Sequence, residues 1–224
     1  MSVAAWPEWE QVLSAAAHLQ VVLPGTTLVG GTAAAIYAKP RVSYDADHVL
    51  SDLRDRFDEV LAQLESVAGW RTARVKRPVS ILGSLDGIET GVRQLIRERP
   101  LETVEVSVAG VRLVVPTEAE MLRIKAVLIL KRNATRDYLD FVALADRLGA
   151  DRVFQALASL DELYPQPSGA SALQQLQVQL SRPLPYDLEG TDLTEYRQLD
   201  PRWHDWTRVS AACATVAVGI FDRL

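Results

Sequence analysis

The chain has 224 residues, 48% of them hydrophobic and 24% charged, with a formal net charge of −5. That length supports a sizeable core in one large domain or two smaller ones, and the composition excludes a disordered or fibrous chain. The acidic balance excludes a uniformly basic protein, and the single cysteine, Cys213, excludes an intrachain disulfide and a cysteine-based zinc site.

One cysteine also fits a reducing, cytoplasmic compartment. The first ten residues lack the basic start and apolar stretch of a signal peptide. The apolar run at residues 209–221 is too short to span a bilayer and reads as a buried helix, so no membrane partner is expected.

In chain order, Trp9, Val12, Leu13 and Ala16 give an apolar stripe that predicts a helix over residues 7–20. Residues 21–23 are either its end or a short strand. After a Pro24-Gly25 turn, residues 26–29 read as a strand. Gly30-Gly31 lets the backbone turn sharply and approach a ligand, because neither residue has a Cβ. Residues 32–38 form a short helix that Lys39-Pro40 stops, and residues 41–50 return as a strand. On that strand Asp45 and Asp47 share one face, with Tyr44 and Ala46 on the other.

Ser51 or Asp52 caps the next helix, which runs to about residue 67 before Gly69 ends it. Strands are predicted at residues 70–76 and 79–82. Residues 88–90 are either a short strand carrying Glu89 or a loop, and residues 92–97 read as a short helix. Residues 103–108 and 111–115 form a hairpin about Ala109-Gly110.

From Pro116 the pattern turns helical. Thr117 and Glu120 have capping-box spacing ahead of a helix to about residue 130 that is apolar on nearly every side. Lys125 lies inside it, where an unpaired ammonium is costly, so a phosphate or a carboxylate from the next helix must satisfy it. Asn133 caps that next helix, which runs to residue 148. Arg136 and Asp140 are spaced to pair along it, and Asp137 shares the inward face with Phe141 and Leu144. Helices follow at residues 151–163 and 171–180, then an acidic segment without a clear period at 182–201, then a helix over 203–221. Trp203 and Trp206 read as core packing rather than base-stacking surfaces, His48 reads as structural, and His18 and His204 show no partner pattern. The expected fold class is α+β: a mixed sheet with flanking helices over residues 1–115, then a helical half over 116–224.

Two carboxylates on one strand face suit a pair of Mg2+ ions, about 3.5–4 Å apart, with Mn2+ as the alternative. Without a cation the two would repel, and one would tend to hold a proton. Gly30, Gly31 and Thr32 beside them supply backbone N–H donors and a hydroxyl for a phosphate tail. The pattern is neither a P-loop nor the dinucleotide fingerprint. Between Arg71 and Arg99, seven basic residues stand against three acidic ones, a candidate nucleic-acid contact within an acidic chain.

Leu28-Val29-Gly30-Gly31-Thr32-Ala33 followed by Arg41-x-Ser43-x-Asp45-x-Asp47 resembles the first motif of minimal nucleotidyltransferases of the DNA polymerase beta-like superfamily. More narrowly it looks like the AbiEii/AbiGii toxin branch. Val115-Pro116-Thr117-x-x-Glu120-Met121-Leu122-x-Ile124-Lys125 and then Lys131-Arg132-Asn133-x-x-Arg136-Asp137-Tyr138-x-Asp140 are similar to that branch's lysine helix and Arg-Asp helix. The resemblance implies a polymerase-beta-like core, with the helical domain completing the active-site cleft. It implies metal binding by Asp45, Asp47 and a third carboxylate, for which Glu89 is the first candidate, Glu105 the second and Asp86 the third. It further implies contact of Gly30, Gly31, Thr32, Lys125, Arg136 and Asp137 with a nucleoside triphosphate. The implied reaction moves a nucleoside monophosphate to an acceptor hydroxyl, such as a tRNA end, in a toxin whose partner is a cognate antitoxin. A non-catalytic nucleotide-binding or interaction module on the same fold is the alternative.

Overall fold

The computed structural model describes residues 8–38 and 41–223. Pro7 and the Lys39-Pro40 helix stop lie outside them. The described residues fall into two compact units, one within Met1–Ile36 and Ser43–Pro116, the other within Tyr37–Val42 and Thr117–Leu224.

In the first unit, α1 (Trp9–Val22) leads to β1 (Thr27–Leu28), and α2 (Gly30–Ala38) contributes its residues up to Ile36. Next come β2 (Asp45–Leu50), α3 (Phe57–Glu65), β3 (Trp70–Lys76), β4 (Ser80–Leu85) and β5 (Ile88–Gln94). The hairpin β6 (Thr103–Val108) and β7 (Val111–Pro116) completes the unit. The main sheet has the order β1-β2-β5-β4-β3, with β2 and β5 parallel and the other neighbours antiparallel.

Alternation on β2 buries Ala46, His48 and Leu50 and leaves Asp45 and Asp47 partly exposed. The buried face joins Leu19 and Leu23 from α1 and its end, Phe57, Val60 and Leu64 from α3, and Ile81, Leu85 and Val92 from the sheet. Burial of this apolar set is what holds the sheet on its helices. Gln20 ties α1 to the hairpin, its amide donating to Val114 O at 2.8 Å and accepting from Val114 N at 2.9 Å.

Two readings in this unit change, and one left open is settled. Residues 92–97 are not a helix: Val92 to Gln94 continue β5, because Ile88, Thr90 and Val92 alternate into the core between β2 and β4. Residues 88–90 are accordingly strand, not loop. Neither Ser51 nor Asp52 caps α3. The chain turns over residues 51–56, and Asp52 pairs with Arg56 at 2.8 Å instead.

The second unit holds α4 (Glu118–Arg132), α5 (Thr135–Leu148), α6 (Ala150–Leu157), α7 (Leu160–Leu163), α8 (Ala172–Ser181) and α9 (Trp206–Phe221). The Thr117 hydroxyl accepts from Glu120 N at 3.2 Å and starts α4, while the Glu120 carboxylate pairs with Arg123 at 3.1 Å. Asn133 caps the end of α4 rather than the start of α5: its φ of 47° puts it in the left-handed region that asparagine tolerates. The helix expected over 151–163 is broken at residues 158–159. Trp203 lies buried in a 3-10 turn ahead of α9, and Trp206 packs edge-on against Tyr138 at 5.8 Å, so both tryptophans serve packing.

Candidate functional site

Asp45 and Asp47 project from the same face of β2, two residues apart. Asp45 accepts a short hydrogen bond from the Ser43 hydroxyl, which orients its carboxylate. Thr32, fully buried, donates its hydroxyl to the Asp45 carbonyl at 2.6 Å. Thr32 was expected to meet a phosphate through that hydroxyl. The structure commits it to holding α2 against β2.

Gly30 opens α2 at φ +77°, a left-handed conformation that a side chain would strain. A Cβ there would lie 3.5 Å from Asp47 Cβ and 3.6 Å from Asp47 Oδ2, so the helix start rests directly on this carboxylate. Val29 N donates to Asp47 O at 2.8 Å and fixes the approach. The first-turn N–H groups of α2, which have no partners within the helix, thus begin beside Asp47.

The three candidates for a third carboxylate separate cleanly. Glu89 pairs in register with Asp45 across the parallel β2–β5 ladder, is exposed, and lies on the same sheet face. Next to it, Thr90 donates to Ala46 O at 2.5 Å and locks that register. Glu105 sits on the separate β6–β7 ribbon, 3.7 Å from Arg112. Asp86 lies in the β4–β5 turn, 3.0 Å from His18.

In the sequence Arg93 counts only among the seven basic residues of the candidate nucleic-acid contact, and nothing there places it beside the aspartates, since residues 92–97 read as a helix. On β5 its Nε comes within 3.7 Å of Asp47 Oδ1, with both side chains partly exposed. Screening by solvent makes this contact weak and easily exchanged for another partner.

Among the described residues, no three His, Cys, Asp or Glu side chains are gathered closely enough to hold a metal ion by themselves. Mg2+ is ordinarily bound by one or two carboxylates and completes its octahedron with waters and substrate phosphates. Two carboxylates on one strand face, next to open helix N–H groups, fit that donor set, and Mn2+ accepts the same oxygens.

The residues expected from the lysine and Arg-Asp helices form their own cluster in the second unit. Lys125 is only 1% exposed. Its Nζ lies 2.6 Å from Asp140 Oδ2 and 3.6 Å from Asp137 Oδ1. Asp137 accepts two hydrogen bonds from Arg132, at 2.6 and 2.8 Å, and Asp140 also faces Arg41 at 3.2 Å. Burial alone would raise the Asp140 carboxyl, but Arg41 and Lys125 outweigh it and hold it below the ordinary carboxylate range. Lys125 is therefore held by carboxylates, the second of the two partners its sequence context allowed. Arg136 does not pair with Asp140. It is exposed on α5, because Asp140 turns inward to Lys125 and Arg41.

No family model matches the chain. In the solved structure of a proposed nucleotidyltransferase from H. pylori, the match covers 96% of this chain and 94% of that one at 15% identity, with a TM-score of 0.58. The fold is that of the nucleotidyltransferases. ANT(2'')-Ia, crystallised with adenylyl-2''-tobramycin, aligns over 68% of this chain and 95% of its own at 16% identity, with a TM-score of 0.50. By sequence, 135 residues are 35% identical to the mycolic acid-containing lipids exporter MmpL11 of Mycolicibacterium smegmatis, which is 57% of this chain and only 13% of the exporter. No helix among the described residues is long and apolar enough to cross a membrane.

Proposed function

We propose that this chain transfers a nucleoside monophosphate from a nucleoside triphosphate to an acceptor hydroxyl. The observation that carries the reading is the placement of Asp45 and Asp47 on one face of β2, with Glu89 in register beside them and the start of α2 resting on Asp47, in a nucleotidyltransferase fold.

Asp45 and Asp47 would hold Mg2+ or Mn2+, which when bound neutralises phosphate charge and lowers the pKa of a coordinated hydroxyl. Ser43 keeps Asp45 oriented for that task. The N–H groups at Gly30 and Gly31 bind phosphate oxygens, and Arg93 moves from Asp47 to the phosphate charge. Glu89, in register with Asp45 but not gathered with the two aspartates into a three-carboxylate metal site, takes the proton from the acceptor hydroxyl. The acceptor oxygen forms a bond to the α-phosphorus as the bond to the β-phosphate oxygen breaks, and pyrophosphate leaves with that electron pair. Arg136 and Asp137 belong to the second unit, where Asp137 is fully buried against Arg132 and Lys125, and this reading gives them no nucleotide contact. Lys125 is assigned instead to fixing α4 against α5.

In its finer form the reading makes the chain an AbiEii-type toxin that modifies an RNA end such as that of tRNA, with a cognate antitoxin as its partner. The motif likeness supports that form. A second reading, a non-catalytic nucleotide-binding or interaction module, is favoured by one observation: Asp47 already faces a cation in Arg93.

Pyrophosphate release separates the two readings. The protein is incubated with Mg2+, each nucleoside triphosphate in turn and total tRNA. Release with at least one nucleotide is the expected result. Tight nucleotide binding without release, whatever the acceptor supplied, would favour the module.

A further inference from the structure

Simple alternation along β3 would put Arg71, Ala73 and Val75 on one face and Thr72, Arg74 and Lys76 on the other. The strand does not keep that alternation, because its register with β4 shifts between Thr72 and Arg74. Before the shift Arg71 opposes Ser84, which opposes Glu89, which pairs with Asp45. After it Arg74 opposes Leu82, then Gly91, then Asp47, while Lys76 opposes Ser80 and then Arg93. Directly paired residues share a face, so one extra residue brings all three basic side chains onto the face that carries Asp45 and Asp47.

All three are exposed and, among the described residues, none has an ion-pair partner. Elsewhere in this unit Arg56, Arg77, Arg93 and Arg112 each face a carboxylate. Beside Lys76 and Arg93 opens a cavity of about 760 Å3, lined also by Arg54 and Arg97 and by the carboxylates Asp55 and Glu98, so cations outnumber anions in its wall by four to two. The stripe is about 15 Å long at roughly 3.3 Å per residue, and it lies three strands from β2, about 14 Å away.

We propose that the edge strand β3 is a docking track for the phosphodiester backbone of a nucleic acid, laid in register with the carboxylate pair. Unpaired cations in a row match successive phosphates, position the strand without reading its sequence, and hold it on the sheet face that carries Asp47, three strands away. A cationic acceptor would be repelled there. The proposal rests on the transferase reading only in naming the bound strand as acceptor. The plain alternative is that these charges merely keep the edge of the sheet from pairing with another sheet.

Fluorescence anisotropy with labelled mixed-sequence RNA and DNA oligonucleotides, over a salt series, compares the full chain with the Arg71→Gln/Arg74→Gln/Lys76→Gln variant. Arg74→Gln alone is the second variant, and circular dichroism checks that each folds. The triple variant should lose at least about tenfold in affinity, and its salt slope should fall by about 2, three contacts at roughly 0.7 each. For Arg74→Gln the slope falls by about 0.7. Equal binding of RNA and DNA supports a track that reads backbone alone, and preference for RNA supports one that also uses the 2′-hydroxyl. Unchanged affinity and slope, no binding by the wild type, or self-association of the variant with unaltered binding would each overturn the proposal. Stripe-dependent binding without nucleotidyl transfer would leave the track standing and sink the transferase reading. Transfer to RNA at the wild-type rate by the triple variant would do the reverse.

Discussion

Lys125 and His48 show how far single residues depend on what encloses them. Removing the ammonium of Lys125 leaves Asp140 with Arg41 and Asp137 with Arg132, in a region where both carboxylates are fully buried. Breaking a buried pair from one side is strongly destabilising, so Lys125→Met should cost about 3 kcal/mol or more, read from the urea midpoint. An unchanged midpoint would contradict the structural role. The depressed carboxyl of Asp140 acts in the same direction at low pH. Its contribution is complete above the ordinary carboxylate range and is lost as pH falls through the lower folded value.

His48 is buried beneath β2 with Nδ1 2.9 Å from Ala46 O, and burial lowers its pKa to about 4 against the protecting pull of the Ala46 and Ala16 carbonyls. Between about 6.5 and 4 the unfolded chain takes up a proton that the folded one refuses, so stability falls as pH falls. The predicted loss from this residue is up to about 3 kcal/mol. His48→Asn should flatten that part of the pH–stability curve, and a slope that persists in the variant would place the titration elsewhere.

Among the elements, β5 carries most of what separates the sequence reading from the structure. In the sequence residues 88–90 read as strand or loop and Val92 to Arg97 as a short helix, so no continuous strand through Gly91 is read. In the sheet Gly91 is needed for close approach: a Cβ would come within 2.6 Å of Ile81 O and 2.7 Å of the Leu82 side chain. Gly91→Ala should therefore push β4 from β5 and cost about 1–3 kcal/mol, measured by denaturation. A neutral substitution would mean that the strands are looser than described.

Long-range pairing, invisible to local pattern, also decides Arg93 and Glu89. Glu89 was a candidate beside the aspartates only through the family resemblance, and Arg93 was not one at all, because their place depends on β5 running parallel to β2. The bulge in β3 is a further case, since alternation alone divides its basic residues between two faces. By contrast, β2, α4 and the β6–β7 hairpin were legible, because strict alternation, an all-round apolar helix and an Ala-Gly turn are local signals. The partners of Lys125 were half legible. An apolar setting demanded a counter-charge, but only packing set Asp140 against the ammonium and brought Arg41 to it from outside the helices.

For the whole molecule, a net charge of −5 conceals a first unit whose sheet presents carboxylates and cations on one face. That juxtaposition suits a reaction between a triphosphate and an anionic acceptor, where charge must be both neutralised and positioned. Likeness of fold alone does not decide activity, which belongs to the site. The chain also spans just 13% of the exporter it resembles in sequence, so transport is not carried over to it.

The most direct test is transfer of α-labelled nucleotide, with Mg2+ and pooled RNA, by the wild type beside the Asp45→Asn/Asp47→Asn variant. Asparagine keeps shape while removing charge, so the variant should fold. Its transfer should fall by more than the roughly 10–100-fold that even outer partners of a metal ion command. Label in RNA that depends on both aspartates and on the divalent cation is the predicted result. Undiminished transfer by the folded variant would contradict the assignment of Asp45 and Asp47.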